Sequence, residues 1–209
     1  LALTDLQAVV FGRGPGAFTG LRTACSVAQG LAFGADLPVL PIDTLLAVAE
    51  EARAANALTG AAPVTRVLAV MDARMEQVYA AAYEFTPNAL DVATSVGETN
   101  LMQGTWRCVQ EPELHSPASL HWPADWMQDS FIAAGNAWPV YAGRWPSALT
   151  APQAMALPTA AALLRLAPAA WAAGEAVPPE EALPLYIRDK VAQTTDERMH
   201  IKALQAAAL

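Results

Sequence analysis

Three glycines, Gly12, Gly14 and Gly16, lie close together in the stretch GRGPGAFTGLR, just before a run of residues typical of a helix. Glycines at the start of a helix leave backbone N–H groups uncovered, and the helix dipole attracts anions such as phosphate to that end. The stretch departs from the known phosphate loops, because a Walker loop needs Gly-Lys-Ser/Thr where residues 18–20 are Phe-Thr-Gly, and Pro15 lacks an N–H donor. Two interpretations stay open: a nucleotide-binding loop and a purely structural tight turn.

A second place where phosphate chemistry could occur is the turn after Asp72, in the stretch MDARMEQVY. An aspartate at the end of a strand can hold a phosphate-linked metal, and actin-like ATPases place glycines after it so that backbone amides reach the phosphates. Here Arg74 and Met75 occupy the turn, and their side chains would crowd that approach. We interpret the turn as a degenerate nucleotide loop in which Asp72 and Arg74 form a structural or interface pair.

The residues that usually hold metals or act as nucleophiles are few and scattered. The histidines His115, His121 and His200 form neither His-Glu-x-x-His nor His-x-x-x-His, so we predict no metal site and interpret them as surface or packing residues. Cys25 and Cys108 have no neighbour at metal-ligand spacing, and two cysteines do not make a disulfide scaffold, which favours a reducing compartment. No catalytic residue can be argued from these patterns.

The helix that follows the glycines carries two faces when its residues are placed on a period of 3.6. One face is apolar and is expected to pack on a sheet: Leu21, Ala24, Cys25, Ala28 and Leu31. The other consists almost wholly of small residues: Gly20, Thr23, Val27, Gly30 and Gly34. A glycine inside a helix costs about 1 kcal/mol relative to alanine, so Gly30 indicates that another helix approaches closely. That second helix belongs either to a partner protein or to the same lobe, and both interpretations stay open.

The predicted elements follow the order strand, helix, strand, helix, which is typical of an α/β protein with a mainly parallel sheet. Strands are predicted over Leu6–Phe11 and Leu37–Ile42, with the glycine-led helix between them and a helix through LLAVAEEARA after them. The turn-forming stretch NALTGAAP then divides the chain into two predicted domains, 1–62 and 63–209. The second domain opens with a predicted hairpin of residues 64–71 and 77–85.

The later part of the chain gives weaker signals. Prolines interrupt residues 87–129, and no element is predicted there. Beyond them, FIAAGNAW predicts a strand and turn, LPTAAALLRLAPAAWAAG a helix that Pro168 breaks or kinks, and ALPLYIRDKVA an extended closing segment. The doublets Glu50-Glu51 and Glu180-Glu181 are interpreted as solvated charges.

The composition narrows the possible partners and compartments. Of 209 residues 54% are hydrophobic, which is ample for real cores, while the net charge is −8 and only two lysines are present. Such a chain lacks the positive surface that grips a nucleic acid unaided. No apolar run approaches the roughly 20 residues that span a bilayer, and the first residues, LALTDLQAVV, carry no export signal. We therefore expect a cytoplasmic protein without membrane contact.

Four stretches resemble the bacterial TsaB family, also called YeaZ: GRGPGAFTGLR, AQGLAFGADLPV, VMDARMEQVYAA and ALPLYIRDKVA. They occur in the family's order and at its separations, and the resemblance runs essentially from end to end. One departure is Ala17, where members usually carry serine. The resemblance implies a two-lobed α/β fold of the actin/Hsp70/sugar-kinase (ASKHA) type. It also implies a part in making N6-threonylcarbamoyladenosine at position 37 of tRNAs that read ANN codons.

The resemblance further implies that this chain is a non-catalytic scaffold or activating subunit. Family members pair with a TsaD-type catalytic subunit, which carries the metal-binding histidines, and a TsaE-type ATPase joins the assembly. No cofactor is then expected in this chain, ATP and metal are expected on the partners, and tRNA is expected to be held only through the complex. Homodimers and the TsaD heterodimer are expected to share the small-residue helix face. Family members begin with a hairpin, a strand and a helix that precede this point, so the first lobe is expected to be incomplete.

Two other functions remain as alternatives. A small-molecule kinase or ATPase of the same fold would use the glycine turn and Asp72. A metallopeptidase is the more distant alternative, because its ligand motif is absent.

Overall fold

The computed structural model describes residues 2–58, 63–88, 104–127 and 130–188. Its helices are α1 (Phe18–Ala35), α2 (Thr44–Leu58) and α3 (Ala160–Ala172). Its strands are β1 (Val9–Gly14), β2 (Val39–Asp43), β3 (Arg66–Arg74), β4 (Gln77–Pro87), β5 (Gly104–His115), β6 (Ile132–Ala134) and β7 (Gln153–Ala154). Part of the predicted linker (59–62), the closing segment from 189 onward and His200 lie outside the described residues. Within those ranges, every helix is too short or too polar to cross a bilayer.

The first sheet consists of β1 and β2, which run parallel with Val9 opposite Val39 and Gly12 opposite Ile42. Helix α1 connects the two strands and packs on them through a buried cluster of Phe11, Cys25, Ala28, Ala32 and Val39. The predicted strand, helix and strand are therefore present. The first strand begins at Val9 rather than Leu6 and continues to Gly14, because its ladder with β2 extends into the glycines.

The second sheet has the strand order β5-β4-β3-β6-β7. The hairpin of β3 and β4 is antiparallel, as predicted, and β6 runs parallel to β3. Helix α2 covers one face of the sheet through Leu45, Val48 and Ala49. The other face packs against aromatic residues from the segment between β5 and β7: Trp126, Phe131, Trp138 and Tyr141. The sheet is thus buried on both sides, with β5 at its edge.

Strand β5 is the element that sequence patterns missed, since no element is predicted in 87–129. Among the described strands it pairs with β4 alone, and most of its residues are half-buried or exposed, as suits an edge strand. Its ladder is irregular where Glu113 faces Ala80 and Gln110 faces Ala82, and Pro112 lies in that irregularity. Because the strand is irregular and lies at the sheet edge, its sequence shows neither a regular alternation of apolar and polar residues nor a continuous apolar run.

Helix α3 returns the end of the chain to the first sheet. It continues through Pro168 to Ala172, so the predicted break does not occur. Its buried residues Ala162 and Leu166 pack against Leu40 of β2. Since α3 lies in 63–209 by sequence but packs on strands of 1–62, the division of the chain at 62–63 remains a prediction.

Candidate functional site

The glycine turn at the end of β1 is held by the chain's own residues. The backbone N–H of Gly14 donates to the hydroxyl of Thr44 at 3.0 Å, and the N–H of Leu185 donates to the carbonyl of Arg13 at 2.7 Å. Pro15, which follows, is fully buried. The N–H group that a phosphate would need at Gly14 is therefore already used, and the geometry favours the interpretation as a structural turn.

Gly14→Ala is expected to destabilise the fold by about 2–3 kcal/mol. Gly14 has φ +126°, and a Cβ there would lie 2.6 Å from the carbonyl oxygen of Leu185, so an alanine adds both backbone strain and a clash with backbone. The matched control is Gly174→Ala, because Gly174 also has positive φ (+76°) but open space for a Cβ. This control should cost only about 1 kcal/mol. Urea unfolding measures both variants, and equal losses would contradict the role assigned to the Leu185 contact.

Helix α1 buries the face that meets the first sheet. The buried side chains are Leu21, Cys25, Ala28 and Ala32. Leu31, predicted on this face, is instead 42% exposed, because Ala32 takes the position one step further around the helix. Burial raises the pKa of the Cys25 thiol, which also donates to the carbonyl of Ala182, so it is held as a neutral packing group.

All five predicted residues of the opposite face, which we call the small-residue face, are exposed: Gly20, Thr23, Val27, Gly30 and Gly34. A Cβ built on Gly30 or Gly34 would meet nothing within 4 Å beyond the helix's own backbone. The side chain of Val27 is 55% exposed and that of Phe33, at the edge of this face, is 81% exposed. No second helix from the described part of this chain covers the face, so within that part the geometry favours contact with a partner over contact within one lobe.

The described part of the closing segment, residues 182–188, borders α1 beside the small-residue face. Gln29 donates to the carbonyl of Ala182 at 3.0 Å. At the start of the helix, the guanidinium of Arg22 lies 3.7 Å from the centre of the Phe18 ring and donates to the hydroxyl of Tyr186. These contacts anchor one edge of α1 and fix its position on the sheet. In the described part of the chain, the helix face between these contacts and Leu31 is exposed.

Asp72 and Arg74 lie together in the β3–β4 turn. Arg74 contacts the Asp72 carboxylate with its guanidinium at 3.0 Å, while its backbone N–H donates to the same carboxylate at 2.8 Å. The hydroxyl of Tyr141 donates to Asp72 as well, and burial together with this hydrogen bond raises the pKa of Tyr141 to about 12. Residues 74–76 all have positive φ, and Arg188 donates to the carbonyl of Ala73. The geometry favours the interpretation of Asp72 and Arg74 as a structural pair.

The interpretation of the Glu50-Glu51 doublet as solvated charges is wrong for Glu50. The side chain of Glu50 is almost fully buried and accepts from Arg53 at 2.8 and 2.9 Å, from Arg165 at 2.9 Å and from the indole of Trp106 at 3.1 Å. Arg165 also donates to Glu51 at 2.6 Å. A buried carboxylate is stable only with such partners. The network ties α2 to β5 and α3, which belong to different parts of the sequence.

The Glu50 network borders a cleft of about 900 Å³ between β2, α2, β5 and α3. Arg13, another cation of its wall, is paired with Asp43 through Nε and Oδ1 at 2.5 Å. The hydroxyl of Tyr83 is buried there, and burial raises its pKa well above the usual value. Because the arginines of the cleft already have carboxylate partners, its charges serve the fold rather than an anionic ligand.

A group of side chains that the sequence did not connect lies at the end of β5: Glu113, His115 and His121. His115 and His121 form an edge-to-face ring pair with centroids 4.7 Å apart. His115 is buried, and burial lowers its pKa, with His121 adding to the effect and Glu113 opposing it. Glu113 and His115 lie on one face because both belong to β5, a strand that the sequence patterns did not predict. The spacing of the histidines alone therefore did not indicate this group.

Comparisons with known proteins give a family model and relatives whose names refer to the threonylcarbamoyl modification of adenosine in tRNA, and a solved YeaZ structure. Residues 1–195 match the model of the family described as TsaD, tRNA N6-adenosine threonylcarbamoyltransferase. The tRNA threonylcarbamoyladenosine biosynthesis protein TsaB of Escherichia coli K12 is 33% identical over 91% of this chain and 74% of its own length. The protein of the same name from Haemophilus influenzae is 34% identical with the same coverage. Among solved structures, YeaZ from Pseudomonas aeruginosa is 38% identical, covers 89% of this chain and 76% of its own, and has a TM-score of 0.69.

Proposed function

The chain belongs to the TsaB (YeaZ) family of tRNA threonylcarbamoyladenosine biosynthesis proteins, and we propose that it serves this synthesis as a non-catalytic scaffold subunit. The fold is an α/β fold of the ASKHA type, as the resemblance of this chain to the family implies. The chain acts in the formation of N6-threonylcarbamoyladenosine in tRNA. The proposal concerns how it does so: by docking onto a catalytic subunit rather than by carrying the chemistry.

The small-residue face of α1 is the observation that carries this proposal. Gly30 and Gly34 leave space above the helix, and Val27 and Phe33 expose apolar surface beside it. Helices approach most closely where side chains are small, and apolar surface of this kind is usually covered by a partner. A TsaD-type catalytic subunit is the proposed partner, and a second copy of the chain would compete for the same face.

The geometry of the glycine turn and of Asp72 supports the proposal that this chain is a subunit without its own active centre. Thr44 accepts from the N–H of Gly14 and Leu185 donates to the carbonyl of Arg13 in the glycine turn, while Arg74 and Tyr141 contact the carboxylate of Asp72. In this proposal ATP and metal are bound by the TsaD-type and TsaE-type partners. The net charge of −8 supports tRNA contact through the complex, and we place the protein in the cytoplasm.

Co-purification tests the proposal. The chain, mixed with the TsaD-type subunit of the same organism, is expected to elute with it in size-exclusion chromatography, while the chain alone hydrolyses no ATP above a buffer control. Co-elution without hydrolysis supports the scaffold. Failure to co-elute, together with ATP turnover by the chain alone, would instead favour a small-molecule kinase or ATPase of this fold.

A further inference from the structure

The cluster of Glu113, His115 and His121 lies apart from the small-residue face and is independent of the proposed function. Glu113 and His115 are two residues apart on β5, so their side chains project from the same face of the strand. The chain then turns through Pro117–Ser119, where the hydroxyls of Ser116 and Ser119 are hydrogen-bonded at 2.8 Å. This turn brings His121 back over the end of the strand.

The buried member of the cluster lacks a hydrogen bond. The side chain of His115 is more than nine-tenths buried, and its Nε2 atom has no hydrogen-bond partner among the described residues. The nearest oxygen of Glu113 lies 3.6 Å from that nitrogen, too far for a hydrogen bond. Buried polar groups are nearly always satisfied, so an imidazole nitrogen left open toward a carboxylate and a second imidazole indicates a ligand between them.

We propose that Glu113, His115 and His121 bind a divalent transition-metal ion of the Zn²⁺ class. One ligand atom from each residue lies within 4.8 Å of the other two. Tetrahedral zinc with bonds of about 2.1 Å places its ligand atoms about 3.4 Å apart, so the cluster needs only a small contraction. Glu113 and His121 are exposed and can rotate inward onto the fixed His115.

The ligand types select the metal. Two imidazoles and one carboxylate suit zinc and its transition-metal neighbours, whereas magnesium and calcium prefer oxygen ligands alone. Three protein ligands leave the fourth tetrahedral position to water. The bound ion would join the end of β5 to the loop that carries His121, which makes it a clamp on the edge of the second sheet.

Calorimetric titration with zinc chloride tests the site on the chelator-treated full chain. We expect one saturable site per chain, a rise in the melting temperature with zinc, and no heat with magnesium chloride. His121→Ala and Glu113→Gln are expected to weaken zinc binding roughly tenfold or more, since each removes one ligand. Both residues are exposed, so these variants are expected to keep the fold, which circular dichroism checks.

The control variant is Glu111→Gln, which removes the same charge from the same strand. Glu111 lies on the same strand but is not among the three residues whose ligand atoms lie within 4.8 Å of one another, so zinc affinity should stay unchanged. Absence of zinc binding would overturn the proposal. So would zinc binding that His121→Ala and Glu113→Gln leave intact, because the metal would then be held elsewhere in the chain.

Discussion

Gly30→Leu is expected to weaken binding of the TsaD-type subunit about 100-fold or more, which corresponds to roughly 3 kcal/mol, while the free chain stays folded. A Cβ at Gly30 meets nothing within 4 Å in the free chain, so leucine causes no internal clash and also improves helix propensity. In the complex, the same side chain would fill the space that the partner's backbone needs. A titration of labelled partner measures the affinity, and circular dichroism measures the fold.

Ala161→Leu is the matched control for this variant. Ala161 is an exposed residue in the first turn of α3, so leucine there also adds bulk to an exposed small position of a helix. Partner affinity should not change, since α3 lies outside the proposed interface. If Gly30→Leu binds the partner as tightly as the parent chain does, the small-residue face is not the docking surface.

Glu50→Gln is expected to lower the free energy of unfolding by about 3–5 kcal/mol. Glutamine keeps the shape of the side chain but leaves the buried guanidinium of Arg53 without its carboxylate partner, whereas Arg165 keeps its contact with Glu51. An unpaired charge in this buried position lowers the free energy of unfolding much more than one at the surface, because the surrounding protein does not solvate it as water would. Urea unfolding followed by circular dichroism gives the difference directly.

Glu51→Gln serves as the comparison for Glu50. Its carboxylate also contacts Arg165, but the side chain is partly exposed, so water can replace the lost interaction. We expect a loss of about 1 kcal/mol or less. Similar losses for the two variants would show that the Glu50 network is solvated and that burial does not govern its contribution.

Local sequence patterns predicted the elements that have a clear apolar face or a continuous apolar run. The helix from Phe18 to Ala35 follows from a repeat of 3.6 residues with one apolar side, and the hairpin of β3 and β4 follows from two apolar runs separated by a turn, which the sheet buries on both faces. The exposed side of α1 was also predicted as a row of small residues. Whether another helix of the same chain covers that row depends on tertiary packing, which a local pattern does not contain.

The missed features depend on contacts between distant parts of the chain. The sequence alone indicates a surface charge at Glu50, because its partner Arg165 lies far along the sequence and is brought beside it by α3. Glu113 and His115 acquire a common face only through the edge strand β5, whose irregular pairing hides its period. The strain at Gly14 likewise depends on the position of Leu185. In each case the role of the residue depends on a neighbour that is distant in the sequence, so local spacing does not predict it.

Photo-cross-linking from the edge of the small-residue face tests the scaffold proposal most directly. Phe33 is largely exposed, so p-benzoylphenylalanine in its place changes the surface little, and the same substitution at Leu164, exposed on α3, provides the comparison. In the presence of the TsaD-type subunit and light, we expect a cross-linked heterodimer from position 33 and none from position 164. A complex that forms but cross-links only from position 164 would contradict docking through α1.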